Sequence, residues 1–252
     1  MTKVCDVYNF IDTFAPFNSA MSFDNVGVLV NSTSTFDKAL VCLDITPAAV
    51  EKAVKTGAQL IISHHPVIFR PLKNISKDDI VFKLIQNNIT AICAHTNLDM
   101  GKGGVNDTLA QILGLKNVEP FTCCGESASS LLGFLDEKMS SQNFINMIKN
   151  KLNCSSVKYM DSNKDIKSVA ICSGAGSDIL FSSDKTADAF VTGEVKHHEF
   201  IYAYQRGITI VEAGHFETED IIVKPLANRL SLEFKDALFI PFYSDEARIY
   251  HS

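Results

Sequence analysis

The chain has 252 residues, 46% of them hydrophobic and 21% charged, and a formal net charge of -6, which suits one large soluble domain or two small ones with a sizeable core. The acidic balance argues against nucleic-acid backbones and anionic lipid as partners, but a small anionic substrate stays open because a bound metal can reverse the local field. No apolar run reaches the roughly 20 residues of a membrane span, and the start MTKVCDVYNFIDTF lacks the basic segment and continuous apolar run of a signal peptide, so a cytoplasmic protein is expected.

The first patterned region covers residues 38–99. Three apolar runs rich in Val and Ile, KALVCLDI, AQLIISHHP and ITAICAHTNLD, each break into polar residues at their C-terminal ends. They read as strands, and the stretches Pro47 to Thr56 and Lys77 to Asn88 between them carry apolar residues at helical spacing. A Gly101-Lys102-Gly103-Gly104 turn then precedes a helix at about Asn106 to Leu113. Residues 120–165 read as a different unit: FTCCGESASSLLGFL, an amphipathic helix at Ser141 to Asn153 and a strand at Ser156 to Asp161.

Residues 167–219 repeat the earlier order. Their strands are KSVAICSG, ADAFVTGE and ITIVEAGHFETE, with helices at about Ser177 to Asp184 and Val195 to Arg206. Alternation of short buried strands with helices implies parallel strands with helical crossovers. The expected fold is therefore α/β, with two intertwined, duplicated repeats of mostly parallel strands. The first repeat spans residues 1–125, with about 220–252 packing back on it, and the second spans 126–219. The join lies near Pro120 to Ser130, with no large insert. The seven cysteines include no Cys-x-x-Cys pair; Cys42, Cys93 and Cys172 lie in apolar runs and read as reduced core residues. The Phe-rich stretches at Phe10 to Phe23 and Phe234 to Phe242 read as core or subunit contact.

Open parallel sheets bind ligands at the carboxyl ends of their strands. Six of the seven histidines, His64, His65, His95, His197, His198 and His215, fall at or just beyond such ends. Neighbouring side chains on a straight strand point to opposite faces, so His64 and His65 can serve one metal cluster only if the backbone turns; otherwise one caps the strand and the other faces water. Asp99 can bridge two cations or cap a loop. His215 and Glu219, four apart, share a helical face, although an acid in a first turn also has a helix-dipole explanation. Taken together, three histidines and two acids on three strand ends form a nitrogen-and-oxygen ligand set suited to zinc, iron, manganese or another divalent ion, and two such ions can activate water. Glycine-rich SGAGSD at Ser173 to Asp178 and the Gly101–Gly104 turn can cradle phosphate or be plain turns. His197 and His198 reach the pocket or sit on an exposed first turn.

The pieces FDNVGVLV (Phe23 to Val30), ISHHP (Ile62 to Pro66), HTNLD (His95 to Asp99), GGVND (Gly103 to Asp107), TGE (Thr192 to Glu194) and GHFETE (Gly214 to Glu219) resemble the dinuclear metal-centre family related to the NGG-interacting factor and the bacterial YbgI and YqfO proteins, whose members often carry the name GTP cyclohydrolase 1 type 2 homologue. The resemblance spans nearly the whole chain and implies its compact form. One departure is Phe23, where the family usually has Trp. The resemblance implies that His64, His65, Asp99, His215 and Glu219 hold two divalent metal ions, that His95 and Glu194 line the same pocket as proton carriers, and that the chain forms a homo-hexamer, a trimer of dimers. It also implies a metal-dependent hydrolase acting on GTP or a related nucleotide. Hydrolysis of a phosphoester or amide, and a non-enzymatic metal-binding ring acting as scaffold or metal carrier, are the rival readings.

Overall fold

The computed structural model describes residues 1–124, 127–244 and 246. Gly125 and Glu126, inside both FTCCGESASSLLGFL and the expected join, lie outside the described residues, as do 245 and 247–252 of the C-terminal segment. The fold is mixed α/β, and the chain divides into two compact units. One comprises Met1–Gly104 with the described residues from Ile222 on, and the other is Val105–Ile221. The division falls at Gly104, ahead of the position near 125 expected from the sequence. The reason is that Lys116–Cys124 pairs antiparallel with Ser127–Ser140 and so belongs to the second sheet.

In the first unit five strands lie in the spatial order Leu238–Pro241, Lys38–Cys42, Leu60–Ser63, Thr90–Cys93, Gly27–Val30. The first four are mutually parallel, and Gly27–Val30 closes the edge antiparallel, with a register shift between Val28 and Val30. Every residue of Leu60–Ser63 and Thr90–Cys93 is buried, as expected of central parallel strands covered on both faces. The crossover helix Pro47–Thr56 starts where Thr46 Oγ1 accepts the Ala49 amide at 3.3 Å with Pro47 at its first turn. It stops at Gly57, whose φ of 70° is left-handed. The second crossover helix is Ile80–Gln86. It begins three residues later than its apolar spacing suggests, because the Asp79 carboxylate accepts the Ser76 amide at 2.6 Å and holds a turn there.

In the second unit the order is Lys116–Cys124, Ser127–Ser140, Asp165–Cys172, Ala189–Thr192, Thr209–Glu212, Lys158–Met160. The three central strands, Asp165–Cys172, Ala189–Thr192 and Thr209–Glu212, run parallel, and their neighbours on both sides are antiparallel. Alternate residues serve opposite faces. Val169, Ile171, Val191 and Val211 pack with Phe144 and Ile148 of the helix Ser141–Lys151. Ala170, Phe190 and Ile210 pack with Ala203 of the helix His197–Arg206. This double burial is why the strands read as continuous apolar runs. Ser177–Phe181, expected as an α-helix reaching Asp184, is a short 3-10 turn; Ser182 N donates to Ile179 O at 3.1 Å, an i to i+3 bond. Cys42, Cys93 and Cys172 are core residues.

A candidate metal centre

In the first unit, His64 and His65 follow directly on the buried strand Leu60–Ser63, and the backbone bends at both. Ser63 Oγ donates to His65 O at 2.8 Å and pins the bend. The two imidazoles therefore come side by side, with ring centroids 5.1 Å apart. His95 follows the next strand, and its centroid lies 5.2 Å from His64 and 5.5 Å from His65. One ligand nitrogen from each of the three rings falls within 4.8 Å of the others.

What orients these rings is the decisive feature. His64 Nδ1 lies 2.9 Å from Ala94 O. A carbonyl oxygen can only accept, so Nδ1 carries the proton and Nε2 presents its lone pair. His64 Nε2 in turn lies 3.4 Å from Asp99 Oδ1. His65 Nδ1 donates to Asp44 Oδ1 at 2.8 Å. His95 Nδ1 donates to Asp24 Oδ1 at 2.9 Å. Each ring is thus held at Nδ1 by an acceptor and turned to offer Nε2, the arrangement characteristic of metal-ligating histidines.

Asp24 does more than orient His95. Its Oδ2 accepts the Thr96 amide at 3.1 Å and the Thr96 hydroxyl at 2.6 Å, fixing the start of the helix Thr96–Met100 that carries Asp99. Burial alone would raise the Asp24 carboxyl, but hydrogen bonds from His95 and Thr96, with the charge on His95, outweigh it and hold the group at about 2. Cys93 adjoins the cluster without the character of a ligand. Burial, then the charges of Asp24 and Asp99, push its thiol up, and it donates to His64 O at 3.1 Å.

In the second unit, Gly214 at φ 101° turns the chain out of the strand Thr209–Glu212 into the short helix His215–Glu219. His215 and the buried Glu219 share its face, with Nε2 2.9 Å from Glu219 Oε2. The other nitrogen of His215, Nδ1, lies 2.7 Å from Glu194 Oε1. Gly174 makes room for this group: a Cβ there would collide with Glu219 Oε1, and its φ is +59°. Its carbonyl accepts the Gly193 and Glu194 amides at 2.9 and 3.0 Å, and its amide donates to Thr218 Oγ1 at 3.2 Å. The SGAGSD loop therefore shapes the surroundings of an acid and a histidine. The Gly101–Gly104 turn is closed by its own backbone, Gly104 N to Gly101 O at 2.8 Å. His197 and His198 stand exposed on the first turn of their helix.

His64, His65, His95 and Asp99 are thus gathered in one unit, and Glu194, His215 and Glu219 in the other. Two contributors escaped the sequence reading. Asp24 lies in the DNVG piece, and Asp44 sits at the carboxyl end of Lys38–Cys42, the same kind of position that singled out the histidines.

Comparison with known proteins places the chain among relatives along its whole length. A family model described as Duf34/NIF3 (NGG1p interacting factor 3) matches residues 2–246. A Clostridium perfringens protein named GTP cyclohydrolase 1 type 2 homolog is 36% identical over 228 residues, 86% of this chain and 87% of its own. A Methanocaldococcus jannaschii protein of the same name is 32% identical over 240 residues, 91% of this chain and 95% of its own. Among solved structures, a Staphylococcus aureus protein aligns with a TM-score of 0.88 at 27% identity, covering 100% of this chain and 99% of that one. Reduced HcgD from Methanocaldococcus jannaschii aligns at 0.80 and 29% identity, covering 95% and 97%.

Proposed function

The chain belongs to the DUF34/NIF3 family, and we propose that it is a dinuclear divalent-metal-dependent hydrolase whose two ions are held by His64, His65, Asp99, His215 and Glu219. The observation that carries the metal reading is the shared orientation of the histidines: each Nδ1 has an oxygen partner, and the Nε2 atoms of His64 and His215 face Asp99 and Glu219. The donor set of imidazole nitrogens and carboxylate oxygens without thiolate fits zinc, iron or manganese. Two ions are proposed from the ligand count and the sequence resemblance, with Asp99 as the bridging carboxylate.

Bound divalent ions supply Lewis acidity, polarising an electrophile and acidifying water. The chain's own part is to position and to move protons. Asp44, Ala94 O and Glu194 hold His65, His64 and His215 in the required tautomer. His95 is the proposed proton carrier, because its Nδ1 is anchored on Asp24 while its ring borders the histidine cluster. Glu194 is proposed to assist from behind His215. The proposed substrate is GTP or a related nucleotide, on the strength of the relatives' name. A hexameric, cytoplasmic protein is proposed with it; no helix among the described residues is long and apolar enough to cross a membrane.

One observation favours a second reading, a metal-binding scaffold or carrier. Glu194 is engaged by His215 Nδ1, which gives it the work of holding a ligand ring in place of carrying a proton. A turnover screen of metal-loaded protein against nucleotides, phosphodiesters and peptides separates the two. Formate release from GTP supports the hydrolase in its narrowest form, cleavage of another class moves the substrate assignment, and no turnover across the panel leaves the scaffold.

A further inference from the structure

The stretch Phe10 to Phe23 reads as core or subunit contact, and Phe23 is not core. Its neighbours Phe14 and Phe17 are buried, but Phe23 is 62% exposed. So is much of Phe69, at 45%, and the two rings meet edge-on with centroids 6.4 Å apart. Phe69 in turn meets the His95 ring edge-on at 6.4 Å. Two half-exposed phenyl rings thus run outward from the one histidine of the cluster proposed to move protons. Edge-on contact leaves ring faces uncovered, and uncovered aromatic faces in water are unfavourable unless something stacks on them.

The pair is also built. Asn25 Nδ2 donates to Ile68 O at 2.5 Å, tying the Phe23 loop to the Phe69 loop. The loop from Phe69 to Asp79 carries Arg70, Lys73 and Lys77 followed by Asp78 and Asp79, all exposed, so the charges nearest Phe69 along the chain are cationic. Phe69 is thus followed on the same exposed loop by cationic residues, Arg70 directly and Lys73 four positions on.

We infer that Phe23 and Phe69 form a ring-stacking subsite that selects ligands with a planar heteroaromatic ring, and that Arg70 and Lys73 contact an anionic group carried by the same ligand. The inference rests on the metal-site reading for the reactive end of that ligand, near His95. It assigns specificity to residues outside the metal ligand set. The shelf is sequence-tolerant toward the ring, since every aromatic base has a stackable face.

The test is calorimetric binding of guanosine 5′-monophosphate and of ribose 5-phosphate to the metal-loaded full chain. The two probes share the anion and differ in the ring. Wild type is expected to prefer the nucleotide by about tenfold or more, the scale of one base–aromatic stack. The Phe23→Leu, Phe69→Leu double variant should lose that preference with metal content and sedimentation unchanged, and Phe23→Tyr, Phe69→Tyr should keep it. Arg70→Ala should weaken both probes alike. Equal binding of the probes by wild type, or a preference surviving in the leucine variant, overturns the inference. So does a leucine variant of altered sedimentation, which makes the pair a subunit contact. The hydrolase reading fails separately: ring preference without turnover of any substrate keeps the subsite and removes the hydrolase, whereas turnover with an unchanged KM in the leucine variant does the reverse.

Discussion

His215 and Glu194 are joined through Nδ1 and Oε1 at 2.7 Å, while the same imidazole presents Nε2 to Glu219 at 2.9 Å. The carboxylate behind the ring fixes its tautomer and raises its basicity, and loss of such a partner commonly lowers metal affinity by about 10- to 100-fold. Glu194→Ala is expected to fall in that range in chelator competition. Glu194→Gln should lose less, since the amide oxygen still accepts the Nδ1 proton. Unaltered affinity in the alanine variant would leave Glu194 as no more than an acid near a helix start.

Gly174 supplies a steric test of the same region. A methyl at this position meets both a left-handed backbone and the Glu219 carboxylate, whereas a methyl added at Gly57, at φ +70°, has nothing within 4 Å. Gly57→Ala should therefore cost only the backbone strain, about 1–2 kcal/mol, with metal content intact. Gly174→Ala should lose more stability than that and also displace Glu219, lowering metal content. Thermal melts paired with elemental analysis separate the two variants, and equal behaviour would mean that Glu219 moves aside freely.

Acid should expose the cap of the helix His197–Arg206. Glu199 is buried and its Oε2 accepts the Ser177 hydroxyl and the Lys196 amide, each at 2.6 Å. Burial would raise this carboxyl, but those two bonds, with Lys196 and His198 nearby, lower it overall. A depressed carboxyl stabilises the fold above its unfolded pKa, about 4.3, and the contribution disappears as pH falls through the lower folded value. Glu199→Gln should thus be less stable than wild type at pH 6, by about 1–3 kcal/mol for two charge-assisted bonds. The gap should narrow as denaturant melts are taken below pH 4. A gap constant with pH would show that the ionised form carries no advantage.

Asp24 ties the DNVG turn to the cluster. Asp24→Ala removes the acceptor for His95 Nδ1 and for both Thr96 donors, leaving buried polar groups unpaired at about 1–3 kcal/mol each. Asp24→Asn keeps the shape and one acceptor oxygen. The expected order of melting temperature is wild type, Asn, Ala, with the same order for any turnover that depends on His95. An alanine variant as stable as wild type would contradict the structural role.

Much of the candidate site was legible because strand ends are legible. His64, His65, His95 and His215 stood out as polar breaks at the carboxyl ends of apolar runs, where parallel sheets gather ligands. Asp24 and Asp44 did not, because their work is to accept a ring proton from residues 71 and 21 positions away, and nothing local in the chain announces such a partner. The helix Pro47–Thr56 was readable from its apolar spacing, and Thr46, Pro47 and Gly57 cap it at those bounds. Ser177–Phe181 was read as a longer helix because so short a stretch, Ser177 to Asp184, does not distinguish α from 3-10 hydrogen bonding. The units divide at Gly104 and not near 125 because Lys116–Cys124 pairs with Ser127–Ser140, whose other edge pairs with Asp165–Cys172, a distant partner that the residues around 120 do not signal.

The central claim is that this chain holds metal, and counting ions tests it most directly. Protein reconstituted with zinc, iron or manganese, desalted and measured by elemental analysis should carry two ions per chain, and Asp99→Ala, which removes the proposed bridging ligand, should carry close to none. Wild-type protein that remains metal-free after reconstitution, or an Asp99→Ala variant that retains both ions, would contradict the account.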